Sequence, residues 1–133
     1  MPTVLVVDDD IKSLALVKDG LQAAGYRVVA MTSATAALDM LAREQVDAVV
    51  FEVLLPVKDG VEMMMEIMQR WPSMPILAMS GGGWLVRADQ VLSIARALGA
   101  CAQLNKPLNM TELVAALSRS IPAAVARLAP QQR

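Results

Sequence analysis

The sequence predicts an α/β fold, a doubly wound parallel sheet of five strands with helices on both faces. Two observations carry the prediction. Five short apolar runs alternate with five longer stretches of helical period. Polar and acidic residues follow the ends of those runs, where an open parallel sheet gathers its chemistry. The chain has 133 residues, which fits one compact domain with a core of its own.

Strands are predicted at residues 3 to 7, 27 to 31, 48 to 53, 75 to 79 and 101 to 104, and helices at 11 to 24, 34 to 44, 60 to 70, 87 to 98 and 109 to 120. In the first helix Ile11, Leu14, Val17 and Leu21 fall on one face, and Gly25 lies beyond its end as a C-cap. Ser33 and Asn109 are N-cap residues for the second and fifth helices. Asp59-Gly60 marks the turn into the third helix, and Gly99 stops the fourth. The run Met63-Met64-Met65 points around the whole circumference of the third helix, so at least one of the three is exposed. Pro122 is expected to break the last helix, dividing the chain into a domain over 1–120 and a short tail over 121–133.

Composition excludes several functions. Net charge is -1, from 12 basic and 13 acidic residues spread along the chain, so no basic surface tracks a phosphate backbone and direct nucleic-acid binding is not expected. Histidine is absent, which removes histidine acid/base catalysis, histidine-ligated metals and a phosphohistidine role. The single Cys101 excludes an internal disulfide and reads as a small core residue. Charges interrupt every apolar run well short of the ~20 residues that span a bilayer, so no membrane insertion is expected. With no targeting pattern after Met1, the expected compartment is the cytoplasm.

The strand ends carry the candidate chemistry. Asp8, Asp9 and Asp10 follow the first strand, Glu52 closes the third, Ser80 follows the fourth, and Asn105-Lys106-Pro107 follow the fifth. Consecutive carboxylates after a buried strand repel one another and lose hydration, a cost that a divalent cation relieves. Mg²⁺ takes hard oxygen ligands in an octahedron and keeps several waters. Asp10 has a second reading, as an acid at a helix N-terminus.

Taken together, these residues resemble the response-regulator receiver domain (CheY-like) of two-component phosphorelays, over about Thr3 to Ser118. The resemblance implies a flavodoxin-like (βα)5 fold and a signalling module that is not itself an enzyme. It implies Mg²⁺ held directly by Asp9, through water by Asp8, and by the Leu54 carbonyl. Lys106 would neutralise the phosphoryl group, Ser80 would bond a phosphoryl oxygen, and both would serve the transfer chemistry. The family's phosphoacceptor is an aspartate, and Glu52 stands at that position here. Many receivers carry Tyr or Phe at a switch position that is Gln103 here, so an aromatic switch of that type is absent.

One extra methylene moves a carboxylate about 1.5 Å, and a misplacement of ~1 Å can cost ~100-fold in rate. Three readings of Glu52 stand: a module that no longer takes phosphate and holds one conformation, a receiver still phosphorylated at Glu52 or Asp59, and an engineered substitution that imitates activation. The resemblance also implies a sensor histidine kinase or phosphotransfer protein and a downstream target as partners, with the fourth helix, fifth strand and fifth helix as the contact or homodimer face. The connection Gly81-Gly82-Gly83-Trp84 is a further candidate loop. A small flavodoxin-like nucleotide-binding enzyme is the competing class. Three aspartates where a phosphate-binding glycine loop would stand argue against it.

Overall fold

The computed structural model describes residues 1–53, 60–80 and 102–132. The elements run β1 (Thr3–Val7), α1 (Ile11–Ala23), β2 (Arg27–Met31), α2 (Ala34–Arg43), β3 (Ala48–Glu52), α3 (Gly60–Arg70), β4 (Ile76–Ser80), β5 (Ala102–Asn105) and a C-terminal helix (Met110–Gln132). The predicted fourth helix, Leu54, Asp59, the Gly81 to Trp84 loop, Gly99 and Cys101 lie outside the described residues.

The strands form one parallel sheet in the order β2-β1-β3-β4-β5. The order reverses at β1, which puts the crevice at the carboxyl ends of β1 and β3. The pleat then sorts side chains alternately to the two faces. Leu5, Val7, Val49, Phe51, Ile76 and Ala78 share one apolar cluster with α2 and α3 residues such as Leu38, Met63 and Ile67. Val4, Val6, Val50, Leu77 and Met79 share the other with α1 and the C-terminal helix, through Leu14, Leu21, Leu113 and Leu117. Burial on both faces explains why the strands read as near-continuous apolar runs.

The helix ends follow local chemistry. Asp10 caps α1, its side chain accepting from the amides of Lys12 at 3.0 Å and Ser13 at 3.4 Å. Ser33 caps α2 through the Ala36 amide at 3.1 Å, and Asn109 caps the C-terminal helix through the Glu112 amide at 3.1 Å. Gly25, at φ 98°, adopts the left-handed geometry that a helix C-terminus favours and that a Cβ would penalise. Of the three consecutive methionines, Met63 and Met64 are fully buried and Met65 is exposed.

Two expectations need correction. Ile11 is 72% exposed rather than part of the buried face of α1. It is the first residue of the helix, ahead of Leu14, Val17 and Leu21, which pack into the cluster of sheet residues. The last helix does not stop at Pro122, since its backbone stays helical to Gln132. Proline removes one helical hydrogen bond and crowds the preceding turn. The surrounding Ala123, Ala124 and Ala126 have the highest intrinsic helix propensity, and they favour continuation.

Smaller shifts occur at strand ends. β4 begins at Ile76, one residue later than predicted, because Pro75 has no amide to give the ladder, and it runs on to include Ser80. Ser80 pairs with Asn105, which likewise carries β5 one residue further. β3 ends at Glu52, although the Val53 amide still bonds the Met79 carbonyl at 3.1 Å.

Candidate functional site: a lysine between two buried carboxylates

Among the described residues the buried polar or charged side chains are Asp8, Glu52 and Ser80. All three stand at the carboxyl edge of the sheet, after β1, at the end of β3 and at the end of β4. Burying such groups is costly unless they are partnered, so their convergence marks a built site.

Lys106 joins two of them. Its Nζ donates to Asp8 Oδ2 at 2.6 Å and lies 2.8 Å from Glu52 Oε1. The lysine is carried to this position from the end of β5. Ser80 pairs with Asn105 across the β4–β5 ladder, and the Lys106 amide then bonds the Ser80 carbonyl at 2.9 Å. The Lys106-Pro107 peptide bond is cis.

Asp8 is saturated. Besides Lys106, its Oδ1 accepts from the Asp10 amide at 2.9 Å, while its own amide bonds the Met31 carbonyl at 3.1 Å. The Asp10 contact is an Asx-type turn, a carboxylate bonding the amide two residues on. It sets Asp10 in place as the cap of α1. Sequence reasoning gave Asp8 only a role through water at a metal and missed this one, although the Asp-x-Asp spacing was its signal.

Burial of the Lys106 ammonium acts to lower its pKa. Hydrogen bonds that the ammonium donates to Asp8 and then to Glu52, together with the charges of both, outweigh that and hold it above the ordinary lysine value of 10.5. A cation with a raised folded-state pKa adds stability that is fully present below the unfolded value and is lost as pH rises through the folded one. The stability gap between this chain and Lys106→Met should therefore stay constant through neutral pH and narrow above pH 10.5. Urea midpoints measured across that range check this; a gap that widens with pH would contradict it.

The other expected residues are placed as follows. Asp9 is exposed, next to buried Asp8. Gln103 lies half-buried in β5, paired with Ala78. A groove of about 370 Å³ opens beside the site between α1 and the Lys106 to Met110 segment, with Lys12, Leu16, Val17 and Leu108 in its walls. Among the described residues no three acidic, histidine or cysteine side chains converge as a metal-holding group. No described helix is long and apolar enough to cross a membrane.

Comparison with known proteins agrees with this fold. The family model for the response regulator receiver domain matches residues 4–118. The chain is 35% identical over 116 residues to the response regulator protein FleR of Pseudomonas aeruginosa, covering 87% of this chain and 24% of that protein. It is 33% identical over 115 residues to the transcriptional regulatory protein CpxR of Escherichia coli K12, covering 86% and 47%. The chain thus spans about a quarter to a half of these curated relatives. Among solved structures, the chemotaxis response regulator CheY4 of Vibrio cholerae superposes with a TM-score of 0.78 at 29% identity, over 90% of this chain and 98% of that one. A family match over most of its length makes this chain a member of the response regulator receiver domain family.

Proposed function

We propose that this receiver domain works in two-component signalling with its acceptor position closed by Glu52, so that output passes through protein contacts without phosphoryl transfer at that residue. One observation carries the reading: Lys106 Nζ sits 2.8 Å from Glu52 Oε1 while holding Asp8 at 2.6 Å. The cation that would neutralise an incoming phosphoryl group is already engaged by the side chain standing where the acceptor would be. Phosphoryl transfer asks a protein mainly for position and charge. The longer Glu side chain changes the position, and its bond to Lys106 uses the charge. The imitation of an acyl phosphate is partial, since a phosphoryl group brings nearly two charges and three acceptor oxygens.

Asp8 and Asp9 offer hard carboxylate oxygens of the kind that Mg²⁺ takes while retaining waters, although no three acidic side chains converge among the described residues. Asp8 and Asp9 would hold it, with the Leu54 carbonyl as the family's third donor. Bound there, it supplies charge neutralisation to phosphoryl oxygens. Ser80, buried at the end of β4, would bond one of those oxygens. A sensor histidine kinase or phosphotransfer protein is the proposed upstream partner. The face made by β5 and the C-terminal helix is the proposed surface for a downstream target or a second copy.

Intact mass after incubation with acetyl phosphate and Mg²⁺ tests the reading. The expected result is a phosphoryl adduct on Glu52→Asp and none on the parent chain. An adduct on both would mean that Glu52 or another carboxylate still accepts, and would overturn the proposal.

A further inference from the structure

Among the described residues β2 stands at the outer edge of the sheet and pairs with β1 alone. The Arg27 amide bonds the Pro2 carbonyl at 2.9 Å, and the Met31 carbonyl accepts from the Asp8 amide at 3.1 Å. Backbone groups alternate in direction along a strand, so Arg27, Val29 and Met31 serve β1, while the amides and carbonyls of Val28 and Ala30 point outward. Natural sheets blunt such an edge with proline, lysine or a bulge. β2 has no proline, its register with β1 is unbroken, its one charge is Arg27 at the first position, and Val28 to Met31 are half-buried. We infer that a second copy of this chain adds to this edge, β2 against β2 and antiparallel about a two-fold axis at Val29, which leaves the β5 face to a downstream target.

Self-complementarity favours a second copy over an unrelated peptide. With the axis at Val29, Val28 exchanges both hydrogen bonds with the second copy's Ala30, and Ala30 does the same with its Val28, so every outward amide and carbonyl of both strands is used and the pair closes. Side chains fit the same register. Val29 and Met31 pack toward α2, and a groove of about 330 Å³ opens on that side between Thr3, Arg27, Val29, Met40, Glu44 and Gln45. The second copy's Met31 lies opposite Arg27 and so reaches the mouth of that groove, where an unbranched thioether adapts to the space beside Val29 and Met40. Charge agrees as well. Antiparallel pairing turns exposed Arg27 toward the carboxyl edge of the second copy's sheet, where Asp9 and Asp10 are exposed, and opposite charges steer two such edges together.

Sedimentation equilibrium of the full chain should show a dimer whose share grows with concentration toward about 1 mM. Hydrogen exchange over the same range should find the Val28 and Ala30 amides exposed in dilute samples and protected in concentrated ones, while those of Val29 and Met31 stay protected throughout. This readout needs no variant to fold. Val28→Pro removes an outward amide from each copy and no bond to β1, a position at which edge strands accept proline. Its monomer should fold, and its dimer should be about thirtyfold weaker, the size of two lost backbone hydrogen bonds. Arg27→Glu, a change at an exposed side chain, should weaken the dimer too, and added salt should weaken that of the parent. Four results would each overturn the inference: a monomer at every concentration, a dimer whose Val28 and Ala30 amides stay exposed, a Val28→Pro dimer as tight as the parent's, or no effect of Arg27→Glu. The second of these would assign the contact to another face, such as that of β5.

Discussion

Lys106→Met is expected to destabilise the folded chain by about 3 kcal/mol, because removing one partner of a buried ionic group strands the others. Asp8 and Glu52 are both buried and lie 2.6 Å and 2.8 Å from the ammonium. Without it, two carboxylates face each other in a partly dry site, and the fold must either expose them or protonate them. The effect should be non-additive. Neutralising all three groups, as in Asp8→Asn/Glu52→Gln/Lys106→Met, should recover most of the loss, since replacing a whole buried ionic cluster is often close to neutral. Urea unfolding of the parent, the single variant and the triple variant measures this as shifts of midpoint at constant slope. A single variant within about 0.5 kcal/mol of the parent, the range of ordinary surface changes, would show that the cluster is too well solvated to matter.

This cluster also shows which parts of the site could be read from sequence. Asp8, Glu52, Ser80 and Lys106 were legible because each ends or follows a strand, and a parallel sheet delivers such residues to one edge whatever the loops do. The bond of Lys106 to Asp8 was not legible, since Asp8 was read only as a metal partner, and a lysine separated from it by 98 residues leaves no local trace. Local signals fared better where the physics is local. Asp10, Ser33 and Asn109 all cap helices through their own side chains, as the composition of the helix starts indicated.

Elsewhere, competing effects decided the outcome. Ile11 fits the helical period of Leu14, Val17 and Leu21, yet periodicity says nothing about where the sheet beneath the helix ends. Pro122 was weighted as a stop signal, but it is followed by strong helix formers, and the backbone carries on to Gln132. The strand-end differences at Pro75 and Ser80 are one residue each and follow from ladder bonding that only the partner strand determines.

Phe51→Ala is expected to cost about 4 kcal/mol, within the range for truncating a fully buried aromatic side chain. Phe51 is the only phenylalanine in the chain, is 0% exposed, and lies in β3 in register with Val7 on one side and Ala78 on the other. Its cluster contains Met40, Met63 and Met64. Flexible thioethers can move into a gap, which acts against the cavity term. The central position acts the other way, since strands on both sides restrict collapse of the sheet. The second effect should win, because the paired backbones cannot close over a missing ring, whereas Phe51→Leu, which keeps most of the volume, should lose only about 1 kcal/mol. Glu52 follows Phe51 directly on the strand, so the ring also holds the backbone that presents the carboxylate to Lys106. Urea midpoints for the two variants, compared with the parent, measure the difference between them. A loss below about 1 kcal/mol for Phe51→Ala would mean that the methionines refill the space, and that this core holds its acidic edge by adaptable packing rather than by the fit of one ring.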